Sequence, residues 1–187
     1  MTGRRLMVRC GFACAIALLA AWLPQWAAAA ARDDRIHQRA EQYKGEARRL
    51  LERLVNIDSG TGDHSGIGAV AAIAREELSR IGARIETIPN TNGPGENMVA
   101  HFSGSGKAKI LLITHMDTVF GPGTAAQRPF RIDGNRAYGP GVQDDKGGIV
   151  AALYALKILR DLNFNSYERM TVILNSNEEP GSFGSRG

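Results

Sequence analysis

Three short stretches carry side chains that can do chemistry together. They read HMDTV at residues 115–119, GPGVQDDKGG at 139–148 and NSNEEPGS at 175–182, and each begins where a predicted strand runs out. His115 and Asp117 stand in the first, Asp144 and Asp145 in the second, Glu178 and Glu179 in the third. Imidazole and carboxylate groups gathered at strand ends can hold a hard or borderline dication and activate water. The chemistry to expect is metal-dependent hydrolysis.

Each stretch also has a plainer reading. A lone histidine after a strand is usually a hydrogen-bonded structural residue, and His37, His64 and His101 are read that way. His115 differs because Asp117 lies two positions on, where its carboxylate can accept the proton of the non-ligating imidazole nitrogen and fix the tautomer. Asp117 also suits a turn or a helix cap. Asp144-Asp145 lies in a glycine-rich loop before a helix, so one carboxylate suits a ligand and the other a helix N-terminus. Asp144 is the better ligand and Asp145 the better structural residue. In the Glu178-Glu179 pair one carboxylate can bind metal while the other takes a proton from water. The plain alternative there is a solvated turn with Asn177 and Pro180.

The elements that must position these turns follow from periodicity. Apolar residues at helical spacing from Arg32 to Ile57 predict a long helix, with a kink near Gly45 as an option. A polar loop at 58–62 precedes a second helix, capped by Asp63 or Ser65 and ending near Gly82. Strands are predicted over 83–88, 97–102, 109–114 and 169–174, with a short hairpin across 130–138 and a helix over 147–162. The run KILLIT at 109–114 is continuously apolar, as in a strand buried on both faces. Strands alternating with helices predict an α/β fold, a mixed sheet flanked by helices.

Residues 1–31 have the composition of a secretory signal peptide. Arg4, Arg5 and Arg9 precede an apolar run from Cys10 to Leu23, and Ala27 to Ala31 offer a cleavage site. The run is short for a membrane span and stops at Pro24. The expected location is periplasmic or secreted, with no membrane attachment after cleavage. Both cysteines, Cys10 and Cys14, fall in this leader. Removing its three arginines from the formal net charge of +4 leaves about +1. No basic run with interleaved aromatics remains, and at 6% aromatic the chain is poor in stacking platforms, so no nucleic-acid partner is expected.

HMDTV, GPGVQDDKGG and NEEPGSFGSR, in this order, resemble the zinc metallopeptidases of the M20 family, most closely its glutamate carboxypeptidase branch. The spacings match as well, 29 residues from His115 to Asp144 and 34 from Asp144 to Glu178. The resemblance runs from about Ala40 to the end of the chain. It implies that His115 ligates one zinc, that Asp144 bridges two zincs through a cis peptide to Asp145, and that Glu179 ligates the other. It further implies that Glu178 is the general base and that Asp117 orients His115. The implied reaction is attack of water on a peptide or amide carbonyl next to a free C-terminal carboxylate. Expected substrates are small peptides or N-acyl-amino acids, with glutamate released.

Family members carry further ligands and a smaller inserted domain that binds substrate and often forms a homodimer. Residues 32–187 are therefore expected to be the N-terminal part of the catalytic domain, inactive alone. Related aminoacylase, dipeptidase or deacetylase activities, or a non-catalytic truncated product, are the alternatives.

Overall fold

The two apolar runs at 109–114 and 169–174 become adjacent parallel strands, and this brings the first and third acidic turns together. A computed structural model of the protein describes residues 32–92 and 95–186. The predicted signal peptide lies outside the described residues. The elements, in order, are α1 (Asp34–Val55), α2 (His64–Arg80), β1 (Arg84–Pro89), β2 (Glu96–Ser103), β3 (Lys109–His115), α3 (Thr124–Gln127), β4 (Arg131–Asp133), β5 (Arg136–Tyr138), α4 (Lys146–Asp161) and β6 (Arg169–Asn175). α1 is one uninterrupted helix through Gly45. Of the two candidate caps on α2, Asp63 serves, its carboxylate accepting from the Gly66 N–H at 2.9 Å. None of the described helices is long and apolar enough to cross a membrane.

The main sheet has the order β1-β2-β6-β3. β2 runs antiparallel to both β1 and β6, whereas β3 and β6 are parallel, so the sheet is mixed as expected. Met170, Val172 and Leu174 of β6 and Met98 and Ala100 of β2 alternate onto one face, as the two-residue period of a strand requires. Leu50 and Leu54 of α1, Val70, Ala74 and Leu78 of α2, and Ile149, Leu153 and Leu156 of α4 share their core cluster. β4 and β5 form a separate hairpin that leads into the second acidic turn.

One expectation fails. β3 is not buried on both faces: Leu111 is 55% and Ile113 61% exposed. Among the described strands β3 pairs only with β6, and these two side chains lie on the face that the described helices do not cover. Only its last two residues, Thr114 and His115, are buried.

Two glycines of α2 test how tightly the loop before it is held. A Cβ on Gly66 would stand 1.7 Å from the Asp58 carbonyl oxygen, which is backbone and cannot turn aside. A Cβ on Gly68 would meet nothing within 4 Å. Gly66→Ala should therefore cost about 1–3 kcal/mol or more through forced backbone displacement. Gly68→Ala should stabilise by up to about 1 kcal/mol through helix propensity. Urea unfolding of the two variants measures both, and equal effects at the two positions would refute the close approach of Asp58.

Candidate metal centre

His115 is the last residue of β3, and Asn175, its partner in register, is the last of β6. The Met116 N–H continues this pairing to the Asn175 carbonyl at 2.8 Å. HMDTV and NSNEEPGS therefore leave the sheet side by side. Asp144 and Asp145 arrive from the loop that opens α4, and the peptide between them is cis. That loop turns at Gly141, whose φ is +71° and where a Cβ would stand 2.7 Å from Thr118 Cγ2, so glycine is required.

The structure brings all five predicted site residues to this one end of the sheet. His115 Nε2 lies 2.8 Å from Asp144 Oδ1 and 3.9 Å from Glu178 Oε2. Ligand atoms of His115, Asp144 and Glu179 all fall within 4.8 Å of one another. His115 is buried, Glu178 and Glu179 are half-buried, and the Asp144 side chain is 76% exposed. One face of the cluster is thus open to solvent.

Asp117 meets the ring differently from the sequence expectation. The nearest acceptor for His115 Nδ1 is the Asp117 backbone carbonyl at 3.0 Å, with its carboxylate Oδ1 at 3.3 Å. The carboxylate is otherwise engaged. It accepts from the Thr61 hydroxyl at 2.7 Å, from the Glu178 N–H at 2.9 Å and from the Glu179 N–H at 3.2 Å. Burial pushes the Asp117 carboxyl up, but the bonds from His115, Thr61 and the two backbone amides outweigh it and hold the group below the usual range. Asp145, at the N-cap position of α4, turns its carboxylate to the His115 N–H at 3.2 Å. Burial raises its carboxyl, as it does that of Glu179, where the charge of Asp144 adds to the effect.

Burial lowers the His115 imidazole, yet hydrogen bonds to Asp117 and Asp144 and the charges of Asp117 and Asp145 carry it from the ordinary 6.5 up to about 9. Both ring nitrogens have an acceptor within hydrogen-bond distance, the Asp117 carbonyl at Nδ1 and Asp144 Oδ1 at Nε2. A dication held at Nε2 would replace a proton there, while Nδ1 would keep its carbonyl partner. The donor set fits a dication: one imidazole nitrogen with a fixed tautomer, and two carboxylates that repel each other unless a cation lies between them.

Sequence reading missed three contributors. The loop at 58–62 lies along 117–120, with the Thr118 N–H bonded to the Ser59 carbonyl at 2.9 Å and the Thr61 N–H to the Thr118 carbonyl at 3.1 Å. Asp58 accepts from the Gly123 and Ala125 amides at 2.7 and 2.8 Å, and Thr61 braces Asp117. Lys146 is 1% exposed and donates Nζ to the Ile57 carbonyl at 2.5 Å. Burial lowers it to about 8, against the opposing charge of Asp58. The run of small polar residues at 58–62 was the one local signal for the first two.

Residues 111–187 match the model of peptidase family M20/M25/M40. The chain is 41% identical over 176 residues to carboxypeptidase G2 of Pseudomonas sp. (strain RS-16), covering 93% of this chain and 42% of that protein. It is 30% identical to acetylornithine deacetylase of Edwardsiella ictaluri over 71% of this chain and 34% of that one. The chain thus spans about a third to two fifths of the length of these curated relatives. Human carnosine dipeptidase 1 shares the fold with a TM-score of 0.70 at 20% identity, over 81% of this chain and 36% of that structure. An M20 family metallo-carboxypeptidase from Sulfolobus solfataricus does so at 0.63 and 22%, over 73% and 32%. Through the segment that supplies His115, Asp144, Glu178 and Glu179, the chain belongs to peptidase family M20/M25/M40.

Proposed function

We propose that this chain supplies the water-activating part of an exported zinc carboxypeptidase, which hydrolyses a peptide or N-acyl bond to release a C-terminal amino acid, glutamate in the first instance. The observation that carries the reading is the convergence of His115, Asp144 and Glu179 with a third acid, Glu178, 3.9 Å from the imidazole. Identity to carboxypeptidase G2 supports the carboxypeptidase form. The acetylornithine deacetylase relative, and a β-Ala-Xaa dipeptidase of Lactobacillus delbrueckii subsp. lactis at 29% identity, favour a second reading with the same centre and a different leaving group. Residues 1–31 act as the export leader in either case.

His115 Nε2 would hold one zinc and Glu179 the other, with Asp144, whose carboxylate faces solvent, shared between them. Zinc in such a site acts as a Lewis acid on a carbonyl oxygen and eases the deprotonation of water. Glu178 Oε2 takes the proton of the attacking water and passes it to the nitrogen of the leaving amine. Asp117 keeps the Glu178 and Glu179 backbones and the His115 ring in one arrangement while this happens.

In the full-length enzyme, Glu178→Gln should leave metal content unchanged and lower kcat by roughly 10²–10⁴-fold. His115→Ala should lose the metal as well, read by metal analysis after dialysis. Near-normal kcat in a metal-loaded Glu178→Gln protein would remove Glu178 from the base role. A separate expectation follows from the imidazole at about 9. The ring must give up its Nε2 proton to accept an ion, so zinc binding at about pH 7 should release close to one proton from His115, and affinity should rise roughly tenfold per pH unit below that value. Calorimetry in buffers of different ionisation enthalpy reads the proton directly, and an affinity independent of pH in this range would contradict the assignment.

A further inference from the structure

The two oxygens of the Asp117 carboxylate serve different halves of the centre. Oδ1 accepts from the Glu178 N–H at 2.9 Å and lies 3.3 Å from His115 Nδ1. Oδ2 accepts from the Glu179 N–H at 3.2 Å and from the Thr61 hydroxyl at 2.7 Å. One oxygen thus faces the imidazole and the proposed base, and the other faces the proposed carboxylate ligand. Among the described residues, Thr61 is the one hydrogen-bond donor to either oxygen that comes from outside the three acidic turns.

The hydroxyl is not what holds its own loop. The Thr61 N–H bonds to the Thr118 carbonyl at 3.1 Å and the Thr118 N–H to the Ser59 carbonyl at 2.9 Å, which lays residues 59–61 along Thr118 through backbone alone. Gly60 packs so closely there that a Cβ would stand 2.4 Å from the Phe120 carbonyl oxygen. Asp58 pins the same loop through the Gly123 and Ala125 amides, and Lys146 does so through the Ile57 carbonyl. Thr61 itself is exposed and contributes nothing to the core cluster. Its neighbours therefore fix its backbone, and its side chain is left to serve Asp117.

A buried carboxylate keeps its orientation through the donors that replace its water. An apolar side chain of the same shape at position 61 would leave Oδ2 with the Glu179 amide alone, and that bond is the longest of the three. Oδ1 would keep both of its partners. We infer that Thr61 is a positioning residue for the Glu179 half of the metal centre. Through Oδ2 it fixes the Glu179 main chain, and with it the carboxylate that shares Asp144, while the His115 half is held through Oδ1. The inference rests on the two-ion assignment proposed above. It adds that the two halves are braced separately, one of them by a surface threonine.

Zinc titration of the full-length apoenzyme by calorimetry, with metal analysis after dialysis against graded chelator, tests this without recourse to activity. Thr61→Val should weaken one zinc by roughly 10–100-fold, the usual range for a residue that orients a metal ligand, and leave the other within about threefold. Thr61→Ser, which restores the hydroxyl, should return parental binding. Added to Glu179→Gln, Thr61→Val should bring little further loss, because both act on the same ion; added to His115→Ala, it should keep its full effect. Melting of the apoproteins checks that each variant folds, and Thr61→Ala takes the place of the valine variant if that one does not. Equal weakening of both ions, unaltered binding of both, or a serine variant that behaves like valine overturns the inference and leaves the two-ion reading in place. A parent enzyme that takes up a single zinc overturns them together.

Discussion

One buried negative charge sets the arrangement of everything at the catalytic end of the sheet. Asp117 is 0% exposed, and its carboxylate is met by the Thr61 hydroxyl, the amides of Glu178 and Glu179 and the His115 ring. An ion so buried persists only because these donors replace the water it has lost. The donors come from the loop at 58–62, the end of β3 and the turn after β6, segments far apart in sequence. Satisfying one carboxylate therefore closes three loops on one another. The ligand cluster stands on that closure.

The cluster itself is electrostatically unbalanced without an ion. Asp144, Asp145, Glu178 and Glu179 crowd around a single imidazole; burial is the main cause that raises Asp145 and Glu179, the neighbouring carboxylates add to it, and hydrogen bonds to Asp117 and Asp144 raise His115. Lys146, adjacent in the chain, does not relieve it. Its ammonium points under the loop to the Ile57 carbonyl, and burial lowers its own affinity for a proton. A cation that balanced these acids would come from outside the polypeptide, which is the physical reason to propose a metal here.

The three acidic turns were legible in the sequence because each abuts a feature with a strong local signal. KILLIT and RMTVIL announce strands, and the glycines around Asp144-Asp145 announce a turn into a helix. Parallel pairing of β3 with β6 then needs only the crossover through α4. What was not legible depends on contacts between distant segments. Thr61 looks like loop filler until it reaches Asp117, and Lys146 looks solvated until α4 docks and buries it. The burial of β3 was misjudged for the same reason. Its composition describes a strand covered on both faces, and composition does not say where a cover comes from. The partner of His115 Nδ1 was half right, since sequence shows a carboxylate two residues on but not the backbone carbonyl of the same residue, which lies closer.

The two glutamates show how far this architecture separates function from backbone. Glu178 and Glu179 are neighbours whose amides are held by the two oxygens of one carboxylate, so their main chains are fixed together. Any division of labour must arise in the side chains. Glu179 extends into the trio with His115 and Asp144, where burial and the charge of Asp144 raise its carboxyl and an ion would be favoured. Glu178 stays outside that trio yet within 3.9 Å of Nε2, close enough to the same reaction volume to exchange a proton with water. A ligand needs a fixed lone pair on the ion, while a base must keep one free. Under the proposed assignment, anchoring both residues to Asp117 would allow a single turn to provide each, because rigidity in the main chain lets two adjacent carboxylates differ by side-chain direction alone.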